Sequence, residues 1–210
     1  TFIKYGKKAD SFTEMKNWLV GVKQPQTNFS RANENYYKAI ALAQEGKNQE
    51  AINTFNAVTK DLNALNPKAI NTIYKWQAEI GATLFYSGFI EEGGQLLQNT
   101  YLNAFNSGEV GPYVKTTVGS YYADYLKYVG NFDLAVQVVD KTLPFSQRLI
   151  AKYLYASLLQ KKSDVLVAVG NNNENIATAT KLLQVAKTMK DTYFEAQALN
   201  SLGASYLVST

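Results

Sequence analysis

Nucleophilic and general acid–base chemistry near neutral pH rests largely on Cys and His, and this chain has neither. Their absence also excludes thiolate and histidine zinc sites. A reaction would fall to Asp, Glu, Lys, Tyr or Ser alone. Glu91 and Glu92 are the adjacent carboxylate pair, but they stand in a turn between helices, where negative charge favours a helix N-terminus. The run GNNNEN, residues 170–175, offers oxygens to a hard cation yet lacks the alternating Asp and closing Glu of a calcium loop. GxGxxG, Walker A, GxSxG and HExxH are all missing. These residues point to a non-catalytic protein with no cofactor and no metal.

What remains for molecular recognition is tyrosine and amide chemistry. The 210 residues include 15 Tyr, and only 18% are charged against 46% hydrophobic, below the roughly 25% charge of typical soluble domains. Polar duty has passed to Asn, Gln, Ser and Thr, a bias that reads as extracellular or cell-surface. The net charge of +4 does not signal nucleic acid, because the lysines are scattered among acids and form no basic run. No apolar run reaches the roughly 18 residues of a membrane span. The N-terminus TFIKYGKKADSF is no signal peptide, and a start at Thr1 fits a processed or trimmed chain. Asn28-Phe29-Ser30 is a possible glycosylation sequon.

The elements that position these side chains are written into a repeat. Gly46, Gly88 and Gly130 stand 42 residues apart, each followed five residues later by a small residue (Ala51, Gly93, Ala135) and then by an apolar one (Phe55, Leu97, Val139). The last step is i, i+4, one face of a helix, and the small residue lets a neighbouring helix approach. Before each glycine runs a second helical pattern, as in Trp76, Ile80 and Leu84, or Tyr122, Leu126 and Val129. The glycine therefore closes one helix and the next opens just after it. Pro67, Pro112 and Pro144 are expected between helix pairs.

This pattern resembles the tetratricopeptide repeat. Ile80-Gly81 and Leu84 match its first helix, Ala51, Phe55 and Val58 its second, and Leu199, Leu202, Gly203 and Tyr206 stand at its first-helix spacing. The spacing of 42 exceeds the family's roughly 34 residues, so helices or linkers are longer. The fourth unit fits least: its first helix is expected over about 147–159, with an insertion before Ala179, Leu183 and Ala186. The expected fold is all-α, a right-handed α-solenoid of four to five antiparallel helix pairs over residues 31–210. Residues 1–30 form an N-terminal extension with a capping or partner-contacting helix.

The resemblance implies a concave groove lined by first helices that binds a peptide or protein segment. Carried onto this chain, its lining is Asn33, Tyr36, Lys75, Phe85, Tyr86, Ser120, Asp124, Lys127, Tyr128, Tyr153, Lys161 and Asn200. Tyr36 stands where a carboxylate clamp prefers a cation, so C-terminal peptide capture is not implied. In YYADYLKYVGNFD, Tyr121, Tyr125 and Tyr128 share one helical face and Tyr122 pairs with Leu126 and Val129. That arrangement favours mixed packing and groove lining over a stacking platform for sugars or bases. The alternative function is an extracellular structural subunit that joins end to end as a filament or ring. Met15, Trp18 and Leu19 of one copy would then meet Leu199, Leu202 and Tyr206 of the next.

Overall fold

The computed structural model describes residues 27–65 and 69–208. Among these, nine helices follow one another with no strand: α1 (Asn28–Gln44), α2 (Asn48–Asn63), α3 (Ile70–Tyr86), α4 (Ile90–Asn106), α5 (Pro112–Tyr128), α6 (Phe132–Gln147), α7 (Lys152–Ala168), α8 (Asn172–Met189) and α9 (Thr192–Val208). The pairs α1 with α2, α5 with α6, α7 with α8 and α8 with α9 pack closely as hairpins, a helical repeat-like architecture. None of the helices is long and apolar enough to cross a membrane. The first helix opens at Asn28, three residues ahead of the boundary the sequence pattern placed at 31.

Local chemistry sets the turns. Gly46, Gly88, Gly130 and Gly170 all adopt left-handed backbone, with φ of 78°, 96°, 77° and 71°, a conformation open to glycine because it has no Cβ. In each turn the residue after the glycine donates its N–H back to a leucine carbonyl, of Leu42, Leu84, Leu126 or Leu166, at 2.9–3.0 Å. This six-residue closure satisfies a carbonyl the helix end would leave open. At the helix starts, Thr27 and Ser30 form a reciprocal capping box at 3.1 Å. Pro112 opens α5 at its first position, where a missing N–H costs nothing.

Two prolines thus part company. Pro112 begins a helix as expected, whereas Pro144 lies inside α6, three residues before its end. It deprives the Asp140 carbonyl of its usual N–H donor at a place where Asp140 and Pro144 are both exposed to solvent. Pro67 lies outside the described residues, as do residues 1–26 with Met15, Trp18 and Leu19.

The fourth hairpin needs no insertion. Residues 131–150 and 171–190 run through the same order of buried, half-buried and exposed positions, so α7 and α8 repeat α5 and α6 at an interval of 40. The expected helix over 147–159 is in fact the end of α6, a linker with the fully exposed Ile150, and the start of α7. What hid the match is Asn175, which stands five residues after Gly170 where the other hairpins carry Ala51, Gly93 and Ala135.

The described residues pack as two compact units that divide between Leu96 and Leu97. In the first, α1, α2 and α3 touch one another around Tyr36, Ile40, Phe55, Val58, Leu62, Trp76 and Leu84. Arg31 grips Asp61 with two nitrogens at 2.9 and 2.7 Å, tying α1 to α2. Backbones come close at Gly93, where an added Cβ would stand 2.7 Å from the Gly81 carbonyl oxygen and 2.5 Å from the Phe85 nitrogen.

In the second unit, α7 touches α5 and α9 on either side and also α6 and α8. First helices α5, α7 and α9 therefore form one layer and α6 and α8 the other. Tyr155, Leu159, Leu182, Ala186 and Phe194 fill the space between them. Each large apolar side chain buried this way contributes about 1.5–3 kcal/mol relative to exposure.

Candidate partner-binding surface

On α5 the side chains at 113, 117, 120 and 124 follow one another by three or four residues, so they share a face. The matching positions on α7 are 153, 157, 160 and 164, and on α9 193, 197, 200 and 204. All twelve are exposed or half-buried, so the layer of first helices presents one continuous face that the second helices do not cover.

The charges on this face are spent on each other. Asp124 of α5 accepts a hydrogen bond from Lys161 of α7, and Lys127 of α5 meets Asp164 of α7 at 3.1 Å. Three of the positions expected in the groove thus come together, Asp124, Lys127 and Lys161, and the structure adds Asp164. Exposed pairs of this kind contribute little stability, about 0–1 kcal/mol each. Their effect is to remove free charge from the middle of the face. Ser120 is half-buried here, while Tyr128, Tyr153 and Asn200 are exposed.

In the first unit the expected residues divide. Tyr36 is an interior residue: its ring stacks on Trp76 with centroids 4.5 Å apart and its hydroxyl donates to Glu79. Phe85 is also buried. Both look like groove residues by helical register, yet neighbouring helices cover them. Lys75 pairs with Glu79 at 3.1 Å along one helix, and Asn33 is half-buried. Tyr86 is the well exposed one, at 63%. Asn28 of the sequon occupies the first turn of α1, where its oxygen accepts from Arg31 at 2.6 Å.

The aromatic run around Tyr121 resolves as mixed packing. Tyr122 and Leu126 are buried and Tyr128 is exposed, but Val129, expected beside Tyr122, is 45% exposed in the turn. Tyr122 instead packs against Tyr101 at 5.1 Å and Tyr125 at 6.2 Å. Burial pushes the Tyr101 hydroxyl up to about 12, since the phenolate would lose its hydration. Lys115 on α5 is likewise turned inward, its ammonium over the Phe145 ring at 5.0 Å.

Three side chains of GNNNEN, Asn171, Glu174 and Asn175, are engaged within the fold. Glu174 receives Lys162 at 2.6 Å and the Asn171 amide at 3.0 Å. Asn175 turns inward to Ser163, Ser201 and Ser205. Lys162 also meets Asp140 at 2.7 Å. Burial alone would lower its pKa, but the two carboxylates outweigh that and hold it above the ordinary lysine value.

A second exposed area lies on α9. Leu199, Tyr206 and Leu207 are all more than half exposed, Leu202 is half-buried, and an added Cβ at Gly203 would meet nothing within 4 Å. Tyr113, Tyr193 and Leu207 are among the exposed residues that escaped the sequence reading. The signal for the first two was present, because Tyr113, Tyr153 and Tyr193 are 40 residues apart. Comparison of the chain with family models and with curated proteins finds no match.

Proposed function

We propose that this protein is a non-catalytic interaction scaffold, a tetratricopeptide-like right-handed α-solenoid that binds a peptide or protein segment on the face of its first helices. One observation carries the reading. In residues 97–210 the first helices lie side by side, present tyrosine, hydroxyl and amide groups outward, and neutralise their own central charges. Such a face supplies rigid aromatic area at small entropic cost and neutral groups that can pair with a peptide backbone. The lack of Cys and His supports the absence of catalysis. Low charge with many amides and tyrosines supports a place outside the cell or at its surface.

The test is selection from a displayed random-peptide library on the full chain, followed by titration of recovered peptides. Peptides that bind the full chain and lose about tenfold or more in affinity on Tyr128→Ala or Asn200→Ala support the scaffold, the size of loss set by an aromatic or backbone-pairing contact. Recovery of no peptide, or binding indifferent to both substitutions, rejects it.

The α9 face favours a second reading, a subunit that assembles end to end. Exposed Leu199, Tyr206 and Leu207 around an open Gly203 form an apolar patch on one helix, and a heterologous contact there generates rings or filaments. Light scattering that shows mass growing with concentration, and Leu207→Glu suppressing that growth, supports it. A constant monomer mass removes it.

A further inference from the structure

A tyrosine recurs in the first turn of each first helix of residues 97–210: Tyr113 on α5, Tyr153 on α7 and Tyr193 on α9. Their exposures are 47%, 58% and 58%. The last two rings are backed by one buried side chain, Phe194, at centroid distances of 5.2 and 5.3 Å. They are therefore braced from behind while their outer faces meet solvent. Because α5 packs on α7 and α7 on α9, the three tyrosines stand on successive helices, and the axes of packed helices lie about 8–10 Å apart.

One turn further along the same face the side chains are neutral hydrogen-bonding groups: Ser157 and Gln197 beside Thr117, whose hydroxyl donates to the Tyr113 carbonyl at 3.0 Å, then Ser120, Gln160 and Asn200. The charges beyond them are paired, Asp124 with Lys161 and Lys127 with Asp164. An occupant of this face should thus be uncharged, accept hydrogen bonds, and repeat a flat apolar group about every 9 Å. An extended β-strand repeats on one side about every 6.7 Å, twice its rise per residue, and falls out of step. A polyproline II helix turns once per three residues of about 3.1 Å, hence about 9 Å. Its carbonyls are free to accept, its prolines lack N–H donors, and its fixed φ lowers the entropy lost on binding.

We propose that Tyr113, Tyr153 and Tyr193 form the docking ladder for a proline-rich segment in polyproline II conformation, one turn of the ligand per first helix. The inference rests on the peptide-binding reading of this face and names the class of peptide.

The test is fluorescence anisotropy of labelled decaproline titrated with the full chain, beside an equally long Gly-Ser peptide and triproline. Decaproline should bind at least about tenfold more tightly than either comparator, because it alone presents three preordered turns. Tyr153→Ala should weaken decaproline about two- to tenfold, the loss of one aromatic contact, while Tyr153→Phe keeps most of the affinity. Tyr113→Ala, away from Phe194, gives the same readout if Tyr153→Ala disturbs folding by circular dichroism. Equal affinity for the decaproline and Gly-Ser peptides, or decaproline binding indifferent to Tyr113→Ala and Tyr153→Ala, overturns the inference. If the Gly-Ser peptide or a library peptide binds and is sensitive to Tyr153→Ala, the general peptide-binding reading stands without the proline preference. If no peptide of any kind binds, both fall.

Discussion

Ser163 donates a 2.6 Å hydrogen bond to the side chain of Asn175 at the place in the hairpin where the other three carry two small buried residues. Those pairs are Ala39 with Ala51, Gly81 with Gly93, and Ala123 with Ala135. The Asn175 amide continues to the Ser205 hydroxyl at 2.8 Å and the Ser201 carbonyl at 3.1 Å. One fully buried side chain thereby ties α7, α8 and α9 together with each of its polar atoms engaged, the condition under which a buried amide is tolerated.

Removing half of that pair should cost more than removing both. Asn175→Ala strands the Ser163 hydroxyl and is expected to lower unfolding free energy by about 1–3 kcal/mol, the penalty for an unsatisfied buried group. Ser163→Ala with Asn175→Ala restores the Ala-with-Ala pairing of the first and third hairpins and should recover part of the loss. Urea denaturation of the four proteins checks this as a double-mutant cycle. Strictly additive losses would mean that the two residues are not coupled.

The turns make a paired prediction. Gly170 and Lys190 both adopt left-handed backbone, at φ 71° and 56°, and Asp191 closes the second turn with a 3.0 Å bond to the Ala186 carbonyl. Gly170→Ala should cost about 1 kcal/mol through Cβ strain, and Lys190→Gly should gain up to about that amount. Thermal melts of the two variants should move in opposite directions. A lower melting temperature for Lys190→Gly would show that the lysine is not strained.

Two close approaches differ in what obstructs them. An added Cβ at Gly93 meets backbone, whereas at Gly119 it meets the Thr142 side chain, 2.1 Å from its Oγ1. Both alanine variants should lose about 1–3 kcal/mol from overpacking. Adding Thr142→Ala should rescue Gly119→Ala in large part, since the nearest atoms then disappear. Denaturant midpoints of the single and double variants measure the difference.

Alkaline pH should weaken the fold through Tyr101. Its folded pKa is raised to about 12, so between about pH 10, the ordinary tyrosine value, and 12 the unfolded chain has released a proton that the folded chain retains. Unfolding then gains free energy as pH rises, and stability falls through that window. Lys162, also raised in the folded state, acts in the same sense above the ordinary lysine value. The buried Tyr101 hydroxyl finds no hydrogen-bond partner among the described residues, so Tyr101→Phe should stabilise the protein by about 1 kcal/mol at neutral pH. It should also flatten the loss between pH 10 and 12, measured by urea midpoints across pH. An unchanged alkaline slope would assign the loss to other groups.

The hairpin architecture was legible in the sequence because its causes are local. Gly46, Gly88 and Gly130 are fixed by a backbone conformation that side chains avoid, and Ala51 and Phe55 follow the period of the helix itself. The fourth hairpin was obscured where a small residue gave way to Asn175, since the partners that make an amide acceptable there, Ser201 and Ser205, lie on another helix. Pro144 was misplaced because whether a proline ends a helix depends on water reaching the freed carbonyl, a matter of exposure.

The proposed binding face was legible only in part. The resemblance placed Tyr36, Phe85, Tyr86 and Tyr128 in a groove, but the first two are buried and the last two exposed. Which helical stripe a neighbour covers is set by packing between helices, and periodicity does not contain it. Likewise Asp124, Lys127, Lys161 and Asp164 were visible as charges, while their pairing across α5 and α7 needed the two helices brought together. Sequence by itself thus determined where the first three hairpins turn and where they hide their small residues, because those choices are made within a few residues of chain. Tertiary structure decided which side chains remain outside and which charges cancel, because these depend on contacts between residues about 40 apart.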